Sequence, residues 1–418
     1  MLRLVVAAAA TASALFAQHD MSHMPGMSDM PGMSNMAAPK MPMFASGTSM
    51  NPASSPEPMI HLMAGKWMFM LHGLAFVGGV QQTGPRGRDK FLSANWFMAE
   101  ASHPLAGGTF AVRSMLSLEP ATITDGRYPE LFQTGETAFG SPIVDGQHPH
   151  NLFMELSLRY THPISEGTSF TLYVAPVGDP ALGPVGFPHR ASASELPQAP
   201  LGHHLEDSTH ISDEVVTAGI RHRNFGLEAS GFHGSEPGEN RWIIQTGGID
   251  SYSARLTFAP GQNWQTQVSA ARLTHPEALE PGDQTRVTAS LSYNRPYARG
   301  NWASTLLWGR VHKTADRGNL NGYLAETVAR FRDANYLTGR IELDDKDELF
   351  GEGEPFSGRV FRVAAYTAGY TRDIPLLPHV TSGLGANFTA YTMPDALRQY
   401  YGQHPVAVWI FLRFRAKG

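Results

Sequence analysis

The stretch DSYSARLTFAPGQNWQTQVSAARL, residues 250 to 273, decides the fold. Its first half sets Tyr252, Ala254, Leu256 and Phe258 at alternate positions, with Ser251, Ser253, Arg255 and Thr257 between them. A period of two is the signature of a strand with one apolar and one wet face. The segment APGQ then supplies a turn, and a second alternating run follows. QTRVTASLSYN (284–294) repeats the pattern, with Val287, Ala289, Leu291 and Tyr293 opposed to Arg286, Thr288, Ser290, Ser292 and Asn294. In NLFMELSLRY (151–160), Leu152, Met154, Leu156 and Leu158 oppose Glu155, Ser157 and Arg159.

Carried along the chain, the alternation predicts about 16 strands, near residues 66, 90, 109, 152, 168, 213, 225, 250, 262, 284, 300, 321, 335, 358, 378 and 404. An even count suits a closed antiparallel barrel, and short turns such as HPLAGG, PISEG and RPYARG alternate with longer links, as they do in transmembrane barrels. The longest links, about 119–151 and 179–212, follow the third and fifth strands. Phe110, Phe170, Phe225, Trp264, Trp302 and Tyr336 each sit just after a short turn, where a ring of aromatics would anchor a barrel at the membrane interface. The expected fold is an all-β transmembrane antiparallel barrel over residues 61–418, in contact with outer-membrane lipid.

Composition narrows the chemistry. The 418 residues include no cysteine, which excludes disulfides, thiolate catalysis and zinc-thiolate sites, and a net charge of -5 without a basic block argues against nucleic acid. Residues 1–17 read as a secretory signal peptide, with Arg3, an apolar run and small residues at Ala12-Ser13-Ala14 and Ala17. Residues 18–60 form a Met, Pro, Ser and Gly-rich tail with too little apolar surface to offset its chain entropy, so disorder is expected. No GxSxG elbow, phosphate-cradling GxxxxGK[ST] loop or HExxH pair occurs, and Ser208 and His210 are alternate residues expected to diverge on a strand; no enzyme and no covalent cofactor is expected.

Within the tail, Met21, Met24, Met27, Met30, Met33 and Met36 recur every third residue, the period of polyproline II. Fourteen of the 18 methionines lie in residues 1–70, so the enrichment belongs to the tail. Neutral thioethers in a ladder select Cu(I), and His19 and His23 add imidazole donors for Cu(II); the alternative is a linker in which methionine is incidental. A second metal or constriction site is expected in the long links, from His148, His150, His189, His203, His204 and His210 with Asp145, Glu206 and Asp207, although the same residues could instead hydrogen-bond and order a plug. His148 and His150 straddle a proline and could share a face, whereas His203 and His204 would diverge in a strand. Glu155, Arg159, Arg255 and Arg286, with Arg221 and Arg223, are expected to line the lumen, which is either an aqueous passage or closed by its own loops. By analogy with general porins, the link after the fifth strand is placed inside as a constriction.

The tail HDMSHMPGMSDMPGMSNM (19–36) resembles the Met-rich repeats of copper resistance protein B type outer-membrane proteins, which join such a tail to a β-barrel. The barrel does not follow that family's pattern. FGSPIVDGQHPHNLFMELSLRYTHPI (139–164) and GFPHRASASELPQAPLGHHLEDSTH (186–210) resemble an uncharacterised group of bacterial outer-membrane barrels, which implies the fold and location but no activity. The function expected is a channel or binding protein in copper homeostasis, in the outer membrane of a Gram-negative-type bacterium, with a periplasmic tail that captures Cu(I) and a periplasmic metal-handling partner. The alternative is a structural or adhesive barrel whose loops bind a surface partner.

Overall fold

The computed structural model describes residues 44–207, 212–315, 318–378 and 380–417. A short strand β1 (Ile60–Ala64) is followed by β2 (Trp67–Gln82), β3 (Lys90–Leu105) and β4 (Gly108–Leu116). A hairpin of β5 (Tyr128–Ala138) and β6 (Ser141–Gln147) lies within the first long loop. Then come β7 (Phe153–Ser165), β8 (Thr168–Gly178), β9 (Ser212–His222), β10 (Phe225–His233), β11 (Ser251–Phe258), β12 (Trp264–Leu273) and β13 (Gln284–Tyr297). The chain ends with β14 (Gly300–Lys313), β15 (Gly318–Phe331), β16 (Asn335–Lys346), β17 (Phe361–Leu377), β18 (Val380–Thr392) and β19 (Val406–Ala416). Leaving out β1, β5 and β6, 16 strands pair antiparallel with their neighbours in sequence, and β19 closes the ring on β2 from Ala407↔Gln82 to Arg415↔Leu74. Closure leaves no sheet edge to be satisfied in lipid. Below the end of β19, β1 takes up the first residues of β2, from Ile60↔Leu71 to Ala64↔Trp67.

The alternation is the reverse of a soluble sandwich. On β11, Tyr252 and Leu256 are 64% and 52% exposed, whereas Arg255 is 2% exposed. The apolar face meets lipid and the polar face meets the packed interior, which is the arrangement of a barrel in a membrane. No helix among the described residues is long and apolar enough to cross a membrane.

Connections of two to five residues (106–107, 166–167, 223–224, 259–263, 298–299, 332–334 and between β17 and β18) mark one rim, where β2 starts and β19 ends; the other carries the longer loops, together with the four-residue link between β14 and β15. At the short-turn rim, the stacked Phe225–Phe258 pair (4.5 Å), the tilted Trp264–Tyr293 pair (4.4 Å) and the edge-on Tyr293–Trp302 pair (5.7 Å) form part of the aromatic band. Tyr336 departs from it. The three-residue turn before β16 sets Tyr336 opposite Arg330, and the ring is buried, under the guanidiniums of Arg413 and Arg415. Met154 also departs, because a bulge pairs Met115 with Glu155 and Leu116 with Phe153. Met154 is thereby turned inward against Trp96, Met98 and Met115.

The tail boundary at residue 60 differs from the structure as well. Residues 44–58 lie against the inner wall, with Pro52 and the Ser46–Ser49 turn buried. Composition predicts disorder because it counts only apolar burial; here the lumen's charged side chains satisfy the polar backbone. Residues 1–43, with the signal peptide and all eight tail ligand candidates, lie outside the described residues.

Candidate functional site

Residues 179–207, after β8, lie inside the barrel lumen. They cross to the far wall, where Arg190 donates through Nε to Glu326 Oε1 (2.5 Å) and through Nη1 to Asp207 Oδ2 (2.6 Å). Glu326 also accepts from Ser192 Oγ (2.8 Å) and from Arg340 Nε (3.1 Å), so one carboxylate joins the loop to two strands. Glu195 pairs with Arg413, and Lys346 Nζ donates to the Leu201 carbonyl (2.5 Å) and to Gln133 Oε1 (3.2 Å). The approach is close enough to require glycine in the wall: a Cβ on Gly309 would stand 2.3 Å from the Leu205 carbonyl oxygen. The loop after the fifth barrel strand is therefore inside, as its place in the chain suggests. The first long loop adds Phe132, stacked on Tyr401 at 4.1 Å.

The expected lumen residues hold the N-terminal segment in place. Arg113 Nη2 donates to the Phe44 carbonyl (2.7 Å), and Arg159 lies over the Phe44 ring (4.4 Å). Gly47 N donates to Glu155 Oε2 (3.1 Å), Arg255 Nη2 to Thr48 Oγ1 (2.9 Å) and Asn294 Nδ2 to the Ser54 carbonyl (2.7 Å). Gly47 has φ +50°, and a Cβ there would stand 2.6 Å from Asp179 Cβ, so this crossing demands glycine. Burial, and then the Glu155 carboxylate, push Asp179 up to about 7. Arg286 is buried beside Gln284 (2.9 Å) and Glu236 (3.8 Å). Arg223 does not line the lumen; it sits exposed in the turn after β9 with φ +51°.

Of the nine loop candidates, the structure brings three together. His203 and His204 lie on a helical turn (His203–Glu206), not a strand, and this keeps their rings on one side, 4.9 Å apart. His148 approaches from the first long loop, 6.0 Å from His203 and 5.3 Å from His204 between ring centroids. Ligand nitrogens of all three lie within 4.8 Å of one another. Asp207 is adjacent, accepting from His203 Nδ1 (2.7 Å). The others are spread out. His150 meets Glu119 (2.9 Å), His189 packs edge-on to Trp96 (4.1 Å), and Asp145 binds Arg86 (3.2 Å) and accepts from Phe132 N (2.8 Å). Glu206 faces Asp344; burial and that like charge raise it well above the carboxylate range. Burial, and then Arg241, hold His148 well below the usual imidazole range. His210 lies outside the described residues.

A feature the sequence reading missed opens at the short-turn end. A cavity of about 570 Å³ is walled by His72, Trp96, His189, Met59 and Met98, with Arg330, Tyr336, Asp373 and Arg415 on its polar side. The Trp96 indole stands between the two imidazoles, 4.7 Å from His72 and 4.1 Å from His189. Phe44, the first described residue, also lines it. Alternation places His72 and Met98 on inward faces, but only the closed ring shows that β2 and β3 meet loop 179–211 there.

No family model matches the chain, and no curated protein matches it. Among solved structures, the anion-selective porin of Comamonas acidovorans superposes with a TM-score of 0.52 at 10% identity, over 84% of this chain and 99% of that one. The Salmonella typhi OmpF complex with daunomycin superposes with a TM-score of 0.50 at 9% identity, over 85% of this chain and 100% of that one. The barrel shares the fold of bacterial outer-membrane porins. At such identities the likeness concerns the porin-type fold alone, which fits an outer-membrane location.

Proposed function

We propose that this porin-type barrel is a channel or binding protein in copper homeostasis. The observation that carries the reading is the cavity at the short-turn end. Its thioether and imidazole residues are Met59, Met98, His72 and His189, and Phe44, the first described residue, belongs to the same wall. Sulfur and imidazole donors without an anionic charge favour Cu(I) over hard ions. In this reading residues 1–17 direct export, residues 18–43 capture Cu(I) with Met21 to Met36 and His19 and His23, and the cavity receives the ion. Short turns face the periplasm in outer-membrane barrels, so the tail is assigned to that side, where a metal-handling partner would load it. A Cu(I) competition titration of the full chain in detergent tests this: replacing the six in-register methionines by leucine is expected to weaken binding at least tenfold. Equal affinity would sink the reading.

A second reading has its own support. The ion-paired loop inside the lumen suits a closed structural or adhesive barrel that binds a partner through its loops. Conductance in planar bilayers separates the two, since a passage gives stepwise current under some applied voltage or ligand condition and a permanent plug gives none.

A further inference from the structure

We propose that His148, His203 and His204 form a binding site for a divalent d-block cation such as Zn(II) or Cu(II), fastening the two long loops together. It goes beyond the copper reading of the tail and stands on separate residues.

The donor geometry is prepared at each ring. His203 Nδ1 gives its proton to Asp207 Oδ1 at 2.7 Å, which leaves Nε2 with the lone pair, the carboxylate–imidazole pairing that orients metal-bound histidines. His148 Nδ1 is 3.1 Å from the Pro149 carbonyl, which can only accept, so His148 too carries its lone pair on Nε2. That Nε2 stands 3.1 Å from Glu136 Oε1. Two acceptors at this distance need a proton or a cation between them, and about 3.4 Å is the separation of two ligands on one tetrahedral metal with bonds of about 2.1 Å. His204 completes the set, with Nδ1 3.4 Å from Glu236 Oε1. Gly135 makes room for it: a Cβ there would be 2.7 Å from His204 Nε2.

The space agrees with the donors. The three histidines, Glu136 and Glu236 line a cavity of about 20 Å³, the volume of a single water or ion, with Arg286 beside Glu236 (3.8 Å) and Arg241 paired to Glu136. Drawing the nitrogens from within 4.8 Å to tetrahedral spacing requires movements of about 1 Å, shared between side chains. His148 comes from loop 117–152 and the other two from loop 179–211, so occupancy would cross-link the segments that lie inside the lumen.

Cobalt(II) titration of the full chain in detergent tests the site, because tetrahedral Co(II) has intense visible absorption and thioethers bind it poorly. One equivalent is expected to give that spectrum, and it should persist when Met21 to Met36 are replaced by leucine or His19 and His23 by glutamine. Joint replacement of the three loop histidines by glutamine should abolish it. Should that variant not fold, as judged by circular dichroism and heat-modifiable gel migration, His204→Gln alone decides, with an expected loss of at least tenfold in affinity. Folded wild-type protein without the spectrum, or unchanged binding in His204→Gln, would overturn the proposal. Loss of Cu(I) binding in the tail variant with Co(II) binding retained leaves this site standing by itself.

Discussion

Two regions of the lumen share one wall and differ in what lies against it. Across the middle of the barrel, Glu326, Arg190, Arg340 and Asp207 form a buried network around residues 179–207. At the short-turn end the same inward-facing positions surround a cavity of about 570 Å³. Strand alternation supplies polar groups along the whole height of the barrel, but only the loops decide whether those groups bind protein or face open space. One side of the loop is a folded core of charges, and the side facing the short-turn rim bounds a chamber.

The sharpest way to break this contrast is Glu326→Gln, which leaves Arg190 and Arg340 facing each other without their shared carboxylate. A loss of about 3–5 kcal/mol is expected for stranding buried charge, read by urea unfolding in lipid vesicles. Bilayer conductance should rise in the same variant as loop 179–211 loosens, whereas Tyr336→Phe beside the chamber should change neither by a comparable amount. Leu306→Arg, on the lipid-facing side of mid-β14, tests the wall itself and should cost about 2–4 kcal/mol near the bilayer midplane. Gly309→Val should cost about 1–3 kcal/mol by overpacking against the Leu205 carbonyl, and it should open the charged core to a thiol-reactive probe at an introduced Ser192→Cys.

A further effect concerns pH. Asp179, raised from the ordinary aspartate range to about 7 by burial and by Glu155, keeps its proton in the folded barrel between about pH 4 and 7, where the unfolded chain has lost it. The stability it contributes is full below about pH 4 and is lost as pH rises through 7. Asp179→Asn should therefore unfold at higher urea than wild type at pH 8, with the advantage shrinking towards pH 5. An identical pH profile in both proteins would remove Asp179 from the account.

Much of the wall was legible in the sequence, because lipid imposes a strict period of two and each strand start follows a turn. All 16 barrel strands fall where the alternation puts them. The errors have local causes. Tyr336 faces inward because a three-residue turn changes the parity that the shorter turns keep, and Met154 because a bulge inserts one residue. The filling was less legible. Residues 44–58 carry no periodicity, and their partners, Arg113, Glu155 and Arg255, are remote in sequence. His203 and His204 converge with His148 only because a single helical turn forms inside the barrel, and nothing in GHHLED by itself selects that turn over a strand.

Loop 179–211 carries four carboxylates, Asp179, Glu195, Glu206 and Asp207, against the single guanidinium of Arg190. Burial raises Asp179 and Glu206, so the negative charge that leaves with the loop is chiefly that of Glu195 and Asp207, and Arg413 and Arg415 lose Glu195. The wall then carries more positive charge than it does with the loop in place, which shifts the ion preference of any current towards anions. The shift of the reversal potential in a salt gradient thus becomes an electrical record of whether this loop is in or out.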